Sequence, residues 1–208
     1  AVDSIGKDAD VAPGDGVCAA PARDTLRAAI EESNASSGGL PHRITFFVDQ
    51  ISIPPAGLPA ITRDNTFIDG CDVGFSVLNA PNTPADGPCV GLVGTGATTG
   101  LQVGSASSDP TDVAIYNLAM TNFPARAIHV WGADRTQIAG GLFGRRINGQ
   151  NEGNGVAVSV TGRKQGAVLA NAATSTLIGG PSDAASHPPD CNRYCNTIVN
   201  STGTGIHL

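Results

Sequence analysis

Three groups of residues have the types and spacing to do chemistry. The first lies in "SHPPDCNRYC" (186–195), where His187, Cys191 and Cys195 form an H-x3-C-x3-C array. An imidazole and two thiolates can hold zinc with a fourth position open. The same two cysteines can instead close a small disulfide loop stiffened by Pro188 and Pro189, which is the plainer account in an oxidising compartment. The second group is Arg126, His129, Asp134 and Arg135 in "ARAIHVWGADR" (125–135). A polysaccharide lyase or glycosidase needs carboxylates and a basic group converging on one face. His129 alternates with Ile128 and Val130, so it points outward if they point inward, and Trp131 beside it has the flat ring that stacks on a sugar. The third group is Asp64, Asp69 and Asp72 in "RDNTFIDGCD" (63–72). The structural account of these acids is simpler than catalysis: Asp and Asn side chains bond local backbone at chain corners.

Cys71 and Cys89 bracket "DVGFSVLNAPNTPADGP", an excursion rich in Asn, Pro and Gly. A bond between them would close that loop and stabilise the fold by roughly 3 kcal/mol through the unfolded chain. No motif asks for a cofactor, and no calcium-binding repeat is present. Asn34-Ala35-Ser36 and Asn200-Ser201-Thr202 are formal glycan acceptors, a pattern frequent by chance.

The composition bounds the class. Of 208 residues only 14% are charged and 4% aromatic, yet 40% are hydrophobic, with 27 glycines and 14 prolines. Such a chain is unlike a helical enzyme and unlike a disordered tail. The formal net charge is −6 and basic residues occur only in pairs, which excludes a nucleic-acid groove built on clustered cations. No run approaches the roughly 20 apolar residues of a membrane span, so no membrane insertion is expected. A chain beginning at Ala1 with five cysteines fits an exported protein of the extracellular space or cell surface whose signal has been removed.

The elements that must position these groups are short. "DTLRAAIEESNA" (24–35) reads as the one helix, with Asp24 as N-cap, Leu26, Ala29, Ile30 and Ser33 on one face, and Gly38-Gly39 ending it. Afterwards helical periodicity gives way to alternating runs: "RITFFV" (43–48), "ISI" (51–53), "TFI" (66–68), "VGLV" (90–93) and "LQV" (101–103). From residue 113 they fall into triplets: "VAI", "LAM", "AIHV"; "TQI", "GLF", "GVAV"; "TLI", "TIV", "GIHL". Gaps of two or three residues inside a triplet are too tight for useful hairpins and suit a turn from one face to the next. The expected fold is therefore all-β: a right-handed parallel β-helix of three short strands per coil, with an N-terminal capping α-helix. Ile115, Ile138 and Ile178 should stack inside, as should Ile128, Val156 and Ile206. One domain covers 1–208, with a polar extension at 1–14, coils over 43–208, and corner loops near 71–89, 144–154 and 180–196.

The order "DGVCAAPARDTLRAAIEESNA", "RITFFV", "ISIPPAGLPAITRDNTFIDG", then "TQIAGGLFG", "NGQNEGNGVAV", "STLIGG" and "NTIVNSTGTGIHL" resembles the bacterial CSLREA-type parallel β-helix repeat proteins. The resemblance implies a secreted or cell-surface protein of pectate-lyase-like architecture, without fixing one activity. In that family a second cysteine precedes the Leu-Arg pair, where this chain has Asp24. The resemblance thus leaves Cys18 as the free thiol. The function expected is an exported, non-enzymatic scaffold, adhesin or self-assembling module; the alternative is binding or cleavage of a polysaccharide. A glycan ligand and self-association through the C-terminal edge, at Ile206 and Leu208, are the partners considered, with segment 1–14 reaching across to that edge.

Overall fold

The computed structural model describes residues 1–18, 24–71, 88–161, 164–165, 168–169, 175–179, 196–203 and 205–207. Its helix, α1, spans Leu26–Ala35. Leu26 and Ile30, four apart on one face, are buried in the main core. The N-cap is Thr25, not Asp24. Its hydroxyl accepts from the Ala28 amide at 3.0 Å and donates to the Asp8 carbonyl at 2.6 Å. A buried hydroxyl makes both bonds, whereas a carboxylate at this 1%-exposed position could only accept. The helix stops at Ser36, before the two glycines, because the Ser36 amide and hydroxyl both satisfy the Glu32 carbonyl.

Among the described residues, fourteen short strands form three parallel sheets. Sheet 1 contains β1 (His42–Ile44), β3 (Thr66–Asp69), β6 (Ala114–Tyr116), β9 (Gln137–Ala139) and β14 (Leu177–Ile178), side by side in that order. Sheet 2 contains β2 (Gln50–Ile53), β4 (Val90–Gly94), β7 (Leu118–Thr121), β10 (Leu142–Phe143) and β15 (Thr197–Ile198). Sheet 3 contains β5 (Thr99–Val103), β8 (Arg126–Trp131), β11 (Val156–Thr161) and β16 (Ile206–His207). Ile61, before β3, makes a parallel bridge to Val103 and extends sheet 3 by one position. Two further strands, β12 (Lys164–Gln165) and β13 (Val168–Leu169), form an antiparallel pair that the alternation did not signal.

The chain therefore visits sheets 1, 2 and 3 in the same order on each circuit. Register carries the core. Ile44, Ile68, Ile115, Ile138 and Ile178 pair in one column across sheet 1. In sheet 3 the column is Leu101, Ile128, Val158 and Ile206. Val158, not Val156, takes the expected place, and Val156 instead pairs with Arg126. Both valines have the same parity, so alternation alone cannot choose between registers two residues apart.

Corners repeat with the register. Asn65, Asp112, Arg135 and Ser175, each just before a sheet 1 strand, have φ between 47° and 57°. After the sheet 2 strands, Asn122 and Asn200 take the same left-handed conformation and donate to the Gly94 and Gly144 carbonyls at 2.7 and 3.2 Å. Gly94 and Gly144 can carry no side chain, because a Cβ would collide with the carbonyls of Asn122 and Val199 on the next circuit.

Segment 1–14 packs on its own chain. The Val2 amide donates to the Thr45 carbonyl and the Phe47 amide to the Val2 carbonyl, both at 2.7 Å. "RITFFV" is thereby divided between β1 and this bridge at Phe46. The extension is thus engaged at the first circuit of its own chain. Leu208 lies outside the described residues. Among the described residues no helix is long and apolar enough to cross a membrane.

Candidate functional site

The residues singled out in "ARAIHVWGADR" separate into two places. Along β8, Ile128 and Val130 are fully buried while His129 and Trp131 are partly exposed, so the period of two puts the two rings on the outer face of sheet 3. The rings stack, with centroids 6.0 Å apart and planes 10° off parallel. His129 Nε2 lies 2.9 Å from the Thr161 hydroxyl on the neighbouring strand. Burial, helped by the nearby Arg126 cation, pushes the imidazole down to about 4. It is neutral at pH 7, and its Nε2 is engaged. In register with it run Gln102, Ser159 and His207, a polar column across four strands.

Asp134 and Arg135 lie at the corner beyond β8. The Arg135 guanidinium meets Asp112 through Nε at 2.7 Å and Nη2 at 2.5 Å, and Asp134 through Nη1 at 3.1 Å. Asp64 closes the same corner by accepting from the Thr111 amide at 2.8 Å. The fork-to-carboxylate pairing raises the Arg135 guanidinium and lowers the Asp112 carboxyl. Asp112 escaped the sequence reading. Its signal was present, since it precedes "VAI" as Asp64-Asn65 precedes "TFI". Asp69 serves another corner, accepting from the Asn117 amide group at 2.9 Å and pairing with Arg43 at 3.5 Å. Asp72 lies outside the described residues. Asp64, Asp69, Asp112 and Asp134 hold chain corners together.

Cys71 and Cys89 are disulfide-bonded, with Cα atoms 5.0 Å apart. His187, Cys191 and Cys195 lie outside the described residues, and among the described residues no group of His, Cys, Asp or Glu is arranged to hold a metal. Cys18 is unbridged and half-buried. Burial, then the Asp24 and Asp10 carboxylates, pushes its thiol up to about 11, the reverse of an activated nucleophile. Beside it Glu32, 7% exposed, accepts from the Gly14 and Gly16 amides at 2.5 and 2.9 Å. Burial alone would raise this carboxyl, but those amides and the Ser36 hydroxyl hold it below the usual range. The helical pattern had left Glu32 off the buried face. Its burial comes from residues 14–16 folding onto the helix.

The region that sequence reasoning missed is a groove on the outer face of sheet 2. The connection between β10 and β11 turns back as a small hairpin, bridged at Arg145 and Asn151. It is fixed by the Arg146 amide donating to the Gln150 carbonyl at 2.8 Å and the Gly149 amide to the Arg146 carbonyl at 2.9 Å. Asn154 anchors its base: 1% exposed, it accepts from the Phe123 amide at 3.0 Å and donates to the Met120 carbonyl at 2.8 Å. Val93, Ala119 and Thr121 have the parity opposite to the core residues Leu92 and Met120, yet are no more than 4% exposed. The hairpin explains this, since it lies over them. Between hairpin and sheet remains a cavity of about 250 Å3 lined by Asp49, Gln50, Gly91, Ala119, Arg146 and Asn148, among others.

No family model, curated protein or solved structure matches the chain.

Proposed function

We propose that the chain is a right-handed parallel β-helix that serves outside the cytoplasm as a non-enzymatic scaffold or adhesive module. The repeated passage through three parallel sheets supports the β-helix. A parallel crossover that returns to the same sheet is right-handed in nearly every known case. The disulfide at Cys71 and Cys89 supports an oxidising compartment.

One observation carries the non-enzymatic reading. The groups that would have to converge for catalysis are divided, and two of them are spent on neighbours: Arg135 on Asp112 and Asp134, His129 on Thr161. General acid–base work needs a group within reach of substrate and free to exchange a proton. The test is incubation with a panel of neutral and acidic polysaccharides, followed by assay for new reducing ends and unsaturated products. No product is expected. Turnover that Arg126→Ala or Asp134→Ala abolishes would overturn the reading.

Polysaccharide binding is the second reading, favoured by the stacked His129 and Trp131 on the flat outer face of sheet 3. Aromatic faces of this kind bind the C–H face of a sugar ring, and Trp131→Ala is the variant that addresses it.

A further inference from the structure

The groove between sheet 2 and the hairpin after β10 has the composition of a receptor. Its apolar wall is Ile147 of the hairpin, 46% exposed, which stands above Gly91 and Ala119, a buried pair in register on adjacent strands. Its rim is polar and unspent. Among the described residues, neither the Asp49 carboxylate nor the Gln50 amide has a protein partner. Arg146 is held by one edge only, its Nε donating to Glu152 at 2.7 Å, which leaves Nη1 and Nη2 free. Glu152 lies 3.5 Å from the Thr121 hydroxyl. The clamp between β7 and the hairpin therefore fixes the guanidinium before any ligand arrives, and such preorganisation lowers the cost of binding.

Charge and size narrow the occupant. Arg145 and Arg146 are matched by Asp49 and Glu152 in and around the groove, so neither an anion nor a cation is favoured overall. A carboxylate, a primary amide and a guanidinium edge together accept and donate, which suits adjacent hydroxyl groups. The exposed Ile147 side chain suits one C–H face. At about 250 Å3 the space is below the ~300–1,000 Å3 typical of drug-sized ligands, so it holds one ring rather than an oligosaccharide.

We propose that this groove binds a single uncharged pyranose ring of a glycan, its C–H face against Ile147 and its hydroxyls on Asp49, Gln50 and Arg146. This carries the glycan reading to a second face of the molecule, independent of His129 and Trp131.

The experiment is saturation-transfer NMR on the full chain. The probes are methyl glycosides of glucose, galactose and mannose, with methyl glucuronide and an acetylated glutamyl dipeptide amide alongside. Transfer to the ring protons of at least one uncharged hexoside is expected. It should fall at least fivefold in Ile147→Ser, which removes the apolar wall, and in Arg146→Gln, and persist in Trp131→Ala. Ile147 is 46% exposed, so Ile147→Val, which keeps part of that wall, serves as the folded control and should lose less than Ile147→Ser. No transfer to any uncharged hexoside would overturn the proposal, as would transfer confined to the glucuronide or the dipeptide. Transfer lost in Trp131→Ala and kept in Ile147→Ser would overturn the groove while supporting the sheet 3 face.

Discussion

Arg135 and Arg146 are each paired with acidic side chains, yet they do opposite things. At the corner before β9, Arg135 spends Nε, Nη1 and Nη2 on Asp112 and Asp134. Under the hairpin, Arg146 spends only Nε on Glu152 and keeps its other edge. The first arrangement ties two successive circuits together. The second holds a guanidinium still and leaves it available. An arginine with carboxylates on both sides is a structural staple. One with a carboxylate on a single side, beside the exposed Ile147, is the binding group we propose.

The contrast can be broken most strongly at the base of the hairpin. Asn154→Ala leaves the buried Phe123 amide and Met120 carbonyl without their side-chain partner and should cost on the order of 2–4 kcal/mol. It should also abolish hexoside binding at temperatures where the protein is still folded. Urea unfolding measures the first effect, and a loss below 1 kcal/mol would mean the hairpin is held from elsewhere.

A second test uses His129, another group spent within the protein. An unfolded histidine titrates near pH 6.5, whereas the folded one titrates at about 4. Between those values the unfolded chain binds a proton that the native state does not. Stability should thus fall as pH drops from about 6.5 toward 4, by on the order of 1–3 kcal/mol. His129→Gln should flatten that part of the profile in denaturant titrations at pH 7, 5.5 and 4.5. An equal slope in both proteins would assign the dependence to other groups, His42 first among them, since burial and the Arg63 cation push its imidazole down as well.

The smallest effect sharpens the corner itself. Arg135 has φ of 47°, a conformation that costs a non-glycine residue roughly 1 kcal/mol. Arg135→Gly and Arg135→Ala both remove the ion pairs, but only the glycine relieves the backbone. The glycine variant should be the more stable of the two by about 1 kcal/mol in thermal melts. Neither should alter hexoside binding, and a loss of binding in both would show that corner and groove are coupled.

Much of this architecture is legible locally. "TFI", "VAI", "TQI" and "TLI" share one period-two pattern, and they became one sheet with Ile68, Ile115, Ile138 and Ile178 in register. The helix was legible too, because Leu26 and Ile30 lie one turn apart. The cap was misread by one residue, since a hydroxyl that both donates and accepts is distinguished from a carboxylate only by what surrounds it. The shift from Val156 to Val158 has the same origin: a parity pattern fixes the face and leaves the register free.

The candidate site divides along the same line. His129 and Trp131 were legible because their outward placement follows from neighbours one residue away. Asp134 and Arg135 seemed to belong with them because they are close in sequence, but a corner intervenes and aims them at Asp112. The groove had no local signal at all. Gly91 and Ala119 are ordinary strand residues until Ile147 of the hairpin, 3.8 Å from where a Gly91 Cβ would be, comes to lie above them. By itself the sequence determined which residues face inward, where the chain must bend, and that few charges would be left for function. Only the tertiary structure decided which charges neutralise one another and which remain open, because side-chain pairing acts over a few ångströms in space and is blind to distance along the chain.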